Sequence, residues 1–181
     1  LQPDQLVAIH VGRIAPEKNL ELAVRAFRAI RSIRPNARFV LVGDGPARAA
    51  LQAANPDFIF AGVQRSESLA RHFASGDLFL FPSLSETFGN VTLEAMASGV
   101  PVLAYDYGAA REHLRSHEYG MAVPCGDEFA FVAAAERLAR DSGLRSRLGR
   151  EARQAVAGLK PSTVAEQFAA LLTRLSLRNA A

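Results

Sequence analysis

Six short runs of apolar, β-favouring residues punctuate this chain, and none of them alternates polar with apolar. They are Val7–Val11, Phe39–Val42, Phe58–Ala61, Asp77–Phe81, Pro101–Tyr105 and Gly120–Val123. Gly12, Gly43, Gly62 and Pro82 close the first four. Continuous hydrophobic runs of this length are strands covered on both faces. The segments between them carry apolar residues at helical spacing, as in Leu20, Ala23, Val24, Phe27 and Ile30. Strand, helix, strand in steady alternation, with right-handed crossovers, gives a parallel sheet with helices on both sides. The sequence therefore predicts an α/β protein: a doubly wound, mostly parallel six-stranded sheet of Rossmann-like type with extra C-terminal helices. Helices are expected over about 20–34, just after Pro46, over 66–73, 90–98 and 109–114, and then over about 127–141, 142–157 and 162–177. Asn19 and Ser66 are placed to cap two of them.

The 181 residues suffice for one well-buried domain, with 142–181 as a helical extension. A composition 49% hydrophobic and 22% charged is that of a globular protein. The net charge of +3 is scattered without a block of like charges, which argues against nucleic acid as a partner. The lone Cys125 has no internal disulfide partner and fits a reducing compartment, so a cytoplasmic location is expected. No run approaches the ~18 apolar residues of a membrane span, and no signal peptide is visible. The chain opens at Leu1-Gln-Pro-Asp4, directly before a strand and without Met, and reads as a piece of something longer.

Ligands of such sheets sit beyond the carboxyl ends of the strands. Gly12-Arg13, Gly43-Asp-Gly45, Gly62-Val63 and Pro82 to Gly89 all follow strand ends. The sharpest signal among them is Glu86-Thr-Phe-Gly-Asn-Val-Thr-Leu-Glu94, two carboxylates eight residues apart around Phe88-Gly89. A strand, a glycine loop and a helix offer free backbone N–H groups to an anion. Glutamates flanking that point are suited to hydroxyls on either side of a phosphate, as in a sugar nucleotide. Glu94 has Leu93, Ala95 and Met96 as neighbours, so its carboxylate needs either a ligand or a basic partner such as Arg111. Arg13 and Lys18 are either solvated loop residues or cations for a diphosphate. Gly43-Asp-Gly-Pro46 reads either as a tight turn or as part of the site, and Gly62-Val63 shares that ambiguity. Neither G-x-G-x-x-G nor a Walker loop nor a G-x-S-x-G elbow is present. His10, His72, His113 and His117 lack metal-ligand spacing.

Taken in order, Val11-Gly-Arg13, Glu17-Lys18, Val42-Gly-Asp-Gly-Pro46, Phe81-Pro-Ser83, Glu86-Thr-Phe-Gly89 and Glu94-Ala-Met-Ala-Ser-Gly-Val-Pro-Val102 resemble the family 4 retaining glycosyltransferases. The likeness covers roughly residues 6 to 140 and is to their C-terminal, nucleotide-sugar-binding domain, one half of a GT-B fold. The resemblance implies that Arg13 and Lys18 hold the diphosphate and stabilise the leaving nucleotide. It implies that Glu86 binds sugar hydroxyls near the reacting carbon, with the backbone of Phe88, Gly89 and Asn90 facing the sugar. Backbone N–H groups at Val91 and Thr92 would support a phosphate, Glu94 the ribose hydroxyls, and Gly62, Val63 and Gln64 the base. No metal or other cofactor is implied. The expected partners are a UDP- or GDP-hexose and an N-terminal acceptor domain absent from these residues. Peripheral association of the parent with the inner membrane face is a further expectation. In such proteins a tryptophan commonly stands near the start of the last helix, where this chain reads Leu159-Lys-Pro-Ser162. The stripe Val164, Phe168, Leu171, Leu172, Leu175 is then expected to lie uncovered. Two other readings share the architecture: a non-catalytic nucleotide-sugar-binding module, and a Rossmann dehydrogenase, which the missing glycine fingerprint disfavours.

Overall fold

The computed structural model describes residues 5–114 and 118–179; Leu1–Asp4 and His117 fall outside them. Six strands form one sheet in the order β3-β2-β1-β4-β5-β6. They are β1 (Val7–Val11), β2 (Arg38–Val42), β3 (Ile59–Gly62), β4 (Leu78–Phe81), β5 (Val102–Tyr105) and β6 (Gly120–Val123). Every pairing is parallel. The expected doubly wound sheet is thus present, and its strand order reverses between β1 and β4. That reversal opens a crevice at the carboxyl ends of these two strands.

Period-two alternation sorts each strand between two cores. On one face Ala8, Phe39, Leu41, Leu78, Leu80, Leu103 and Tyr105 pack with α1 (Leu20–Ile33) and α6 (Glu128–Arg140). On the other, Val7, Ile9, Val40, Phe79, Phe81 and Val102 meet α3 (Ser66–Ala74), α4 (Asn90–Ala97) and α7 (Ser142–Val156). The short helices α2 (Arg48–Ala54) and α5 (Gly108–His113) complete the crossovers. Helix α8 (Pro161–Asn179) follows, and Val164, Phe168, Leu171, Leu172 and Leu175 on it are exposed as expected. Where α7 crosses α4, a Cβ on Gly149 would stand 2.2 Å from the Gly99 carbonyl oxygen, so only glycine permits that approach. No helix among the described residues is long and apolar enough to cross a membrane.

Of the two expected caps, Asn19 stands at the N-cap of α1 as expected, and Ser66 is corrected. Asn19 occupies the N-cap position of α1, but with φ 50° and no side-chain hydrogen bond. Its role is to turn the chain in the left-handed region, which asparagine tolerates. At α3 the N-cap is Arg65, and Ser66 is already helical with φ 48°. The side-chain caps that form are aspartates: Asp127 accepts from Ala130 N at 2.8 Å, and Asp141 from Leu144 N at 2.8 Å.

Candidate functional site

The loop after β1 is built by backbone contact with the loop after β2. Gly12 N–H donates to Val42 O (3.0 Å), Ile14 N–H to Asp44 O (2.9 Å), and Ala47 N–H returns to Ile14 O (3.0 Å). A Cβ on Gly43 would lie 1.9 Å from Gly12 O, and one on Gly45 2.3 Å from Ile14 O. The Gly43-Asp-Gly-Pro46 turn is therefore structural: its glycines let two backbones touch, and the contact fixes where Arg13 departs. Arg13 is exposed, 3.4 Å from the Glu17 carboxylate. One turn of 3-10 helix, Pro16–Lys18, then aims Lys18 back across the crevice.

The loop after β4 is tied to that turn. Leu84 N–H donates to Glu17 O at 2.8 Å, and Tyr107 Oη donates to Ser83 O at 2.8 Å. Ala109 N–H donates to Phe88 O at 2.7 Å, which clamps the Phe88-Gly89 corner beneath α5. Gly89, at φ 95°, is the N-cap of α4. Within this frame Lys18 Nζ donates to Glu86 Oε1, and both side chains are about 15% exposed (14% and 15%). The Lys18 ammonium also lies 5.8 Å from the centre of the Phe81 ring. An ion pair removed this far from water is a fixed feature of the site and is screened less than a surface pair.

Glu94 projects from α4 and is exposed, and its carboxylate has no hydrogen bond or ion pair to any described residue. Arg111 is not its partner: that guanidinium sits 3.6 Å from Asp106 and also donates to the Asp106 carbonyl. Partial burial of the carboxyl raises its pKa above the ordinary 4.5. The residue is open on its cleft side and flanked by protein behind, which accounts for both the exposure and the shift. At the start of α4, Thr92 N–H is used on Gly89 O (2.9 Å), so the N–H groups without a described partner are those of Asn90 and Val91. The Thr92 N–H, expected at a phosphate, is thus engaged within the chain. Thr92 is buried, Val91 half-buried and Asn90 exposed.

Two recesses collect most of the expected residues. A cleft of about 270 Å³ is lined by Gly12, Arg13, Gly43, Asp44, Val63 and Gln64 among others. Gly62, at φ 70°, accepts from Gly43 N at 2.8 Å. Val63 is exposed, and the Gln64 side chain donates to Ala61 O (2.7 Å) and accepts from Ser68 Oγ (2.6 Å). Glu86, Phe88, Gly89 and Thr92 line a second, much narrower recess beside Tyr107. A larger apolar groove of about 640 Å³ runs between α1 and α2 beside Pro16, and none of the expected site residues lines it. His10, by contrast, is wholly buried under the crevice, with Nδ1 donating to Leu80 O at 3.1 Å. The sequence assigned no site role to His10, Ser83 or Tyr107; a histidine inside an apolar strand, one residue before Val11-Gly12, was the available signal for the first.

The chain itself matches a known class. A family model described as Glycosyl transferases group 1 matches residues 5–141. The chain belongs to that family of glycosyltransferases. It is 38% identical over 175 residues to a GDP-mannose-dependent alpha-mannosyltransferase of Mycolicibacterium smegmatis, covering 94% of this chain and 44% of that protein. It is 35% identical over 158 residues to a sulfoquinovosyl transferase of Arabidopsis thaliana, covering 84% of this chain and 30% of that protein. The sucrose-phosphate synthase structure from Thermosynechococcus elongatus superposes with a TM-score of 0.85 at 28% identity, over 98% of this chain and 47% of that one. The chain thus spans less than half the length of these relatives.

Proposed function

We propose that this chain is the nucleotide-sugar half of a retaining, family 4-type hexosyltransferase, and that the crevice between β1 and β4 holds the donor. The observation that carries the reading is the Lys18–Glu86 pair, held across the sheet's reversal point. Arg13 and Lys18 face the diphosphate and Glu86 the sugar. Glu94, the open carboxylate, accepts from the ribose hydroxyls. The Asn90 and Val91 N–H groups face a phosphate, and Gly62, Val63 and Gln64 receive the base. The relatives named for GDP-mannose, together with a solved neighbour described in complex with UDP and glucose at 22% identity, support a UDP- or GDP-hexose as donor.

In glycosyl transfer the bond from the sugar C1 to the phosphate oxygen breaks as the acceptor oxygen bonds to C1. The sugar passes through a cationic state while the diphosphate gains negative charge. Fixed cations and the N-terminus of α4 act where that charge develops, so their worth is greatest in the transition state. We favour a route in which the leaving phosphate oxygen takes the acceptor hydroxyl proton on the same face, which retains configuration. Glu86 then binds the sugar and is not a nucleophile. Two protein cations supply the charge that a metal would otherwise bring, so the reading includes no metal. An acceptor-binding domain, which the greater length of the relatives supports, would complete the cleft. In that reading these residues alone bind donor and transfer negligibly, and the parent works in the cytoplasm, peripherally at the inner membrane face.

Calorimetric titration with UDP, GDP and ADP in EDTA tests this. Saturable binding of one diphosphate is expected, lost in Arg13→Ala and Lys18→Ala. Unchanged affinity in both variants would overturn the site.

A further inference from the structure

Both cations assigned to the diphosphate already hold a carboxylate of this chain, and the two pairs are not alike. Arg13 and Glu17 stand 3.4 Å apart and are largely open to water, 65% and 39% exposed, and such a pair exchanges partners at little cost. Lys18 and Glu86 are 14% and 15% exposed, so separating them strands two ions in a place poorly open to water. The Phe81 ring, 5.8 Å from the Lys18 ammonium, adds a contact that favours the paired position.

The backbone holds this pair together from both sides. Leu84 N–H donates to Glu17 O at 2.8 Å, joining the turn that carries Lys18 to the loop that carries Glu86. Tyr107 Oη on Ser83 O and Ala109 N–H on Phe88 O fix that loop from behind. The recess that Glu86 lines with Phe88, Gly89 and Tyr107 measures about 10 Å³, no more room than a single water needs and none for a hexose. The cleft beside Arg13, at about 270 Å³, is open. The half of the site assigned to diphosphate and base is therefore accessible, while the carboxylate assigned to the sugar is spent on Lys18.

A diphosphate changes what the lysine does best, because it brings more negative charge than one carboxylate carries. An ammonium has three hydrogens, but gathering a carboxylate and a diphosphate around one of them leaves uncompensated negative charge in a site short of water. Charge is better balanced when the ammonium turns to the diphosphate and the carboxylate turns to neutral donors. Sugar hydroxyls are such donors. With both backbones tied, rotation of two side chains is all that the exchange requires.

We infer that the Lys18–Glu86 pair is a latch on the sugar half of the donor site: a bound diphosphate takes Lys18 and thereby frees Glu86 for sugar hydroxyls. A free hexose brings no anion and does not open the latch, so the site selects sugar that arrives joined to a diphosphate. The inference rests on the donor-site reading above.

The test is NMR of the chain labelled at lysine and glutamate. Lys18 and Lys160 are the two lysines of the sequence, so the Lys18 signal is read against one other. The free chain should show a nuclear Overhauser contact between the Lys18 ε protons and the Glu86 γ protons. Saturating GDP or UDP, whichever binds by calorimetry, should abolish it, as should pyrophosphate; guanosine, uridine, mannose and glucose should leave it intact. In Glu86→Gln the Lys18 signal should differ from wild type in the free chain and coincide with it at saturation. Persistence of the contact in the saturated wild type overturns the inference, as does its absence from the free chain or its loss to a nucleoside or a free hexose. If Glu86→Gln fails to fold, the wild-type spectra decide alone. Diphosphate binding that is lost in Arg13→Ala but leaves the contact intact removes only this inference. Absence of any diphosphate binding removes the donor site along with it.

Discussion

Glu86 and Glu94 end the same nine-residue stretch, and the fold holds them in opposite ways. Glu86 rides on a loop tied to the Pro16–Lys18 turn through Leu84, to β5's exit through Tyr107, and to α5 through Phe88. Its carboxylate is then locked to Lys18. Glu94 sits on a helix fixed by the buried Ala95 and Met96, yet its carboxylate is unpartnered among the described residues. The difference is physical. A loop carboxylate is held in place by its cation and its backbone ties, whereas a helix supplies position without a partner. The tied end is thus preorganised, and the open end keeps its hydrogen-bonding capacity for a ligand.

The tied end should break most severely through its backbone. Gly43 stands at φ 138°, and any Cβ there collides with Gly12 O. Gly43→Val is expected to cost more than about 3 kcal/mol in urea unfolding, or to abolish a cooperative transition. Stability within about 1 kcal/mol of wild type would show that the contact between the β1 and β2 loops is not what positions Arg13.

Acid is the next largest probe of the same side. His10 has its pKa lowered from 6.5 to about 4 by burial, so the folded ring binds a proton less readily than the unfolded one. The stability tied to this is fully present above about 6.5 and is lost as pH falls toward 4, roughly 3 kcal/mol in all. The stability of His10→Phe should fall less over that range. Parallel pH–stability curves for the two proteins would show that His10 is not buried as a neutral ring.

The sheet was legible because its signal is dense: each strand is an apolar run ended by a turn residue, and observed ends lie within a residue or two of those expected. Of the two expected caps, Asn19 takes its place without a side-chain bond and Ser66 misses by one residue. Asn19 and Ser66 are good cap residues by type, but both have positive φ here, which residue type alone does not reveal. At the site, Arg13, Lys18 and Glu86 were legible as separate candidates. That Lys18 and Glu86 touch was not, because the pair spans 68 positions and depends on the 3-10 turn at Pro16–Lys18. His10 escaped for a related reason: its orphaned nitrogen becomes visible only once Leu80 of another strand has claimed the first one.

At the open end, Glu94→Ala should weaken nucleoside diphosphate binding at least about tenfold by calorimetry, the cost of losing a charged acceptor for hydroxyls. Its stability should not fall. Partial burial raises the carboxyl's folded pKa, so whatever stability it contributes exists below 4.5 and is lost as pH rises through the raised value. At neutral pH its removal is therefore neutral or slightly favourable. Full affinity in this variant would mean the open carboxylate does not meet the donor.

The smallest effect is also the one that separates pairing from positioning. Glu86→Gln keeps the shape and one acceptor of the side chain but cancels its charge. If the Lys18–Glu86 pair restrains the ammonium that the diphosphate needs, GDP or UDP should bind about two- to fivefold more tightly to the variant, because a partly buried pair of this kind is worth on the order of 1 kcal/mol or less. The corresponding nucleotide sugar should gain less, since the sugar hydroxyls lose a charged acceptor. The opposite result, weaker binding of the bare diphosphate, would mean that Glu86 aims Lys18 at the phosphate. The tied end would then be a single device, with the carboxylate acting on the diphosphate through the lysine.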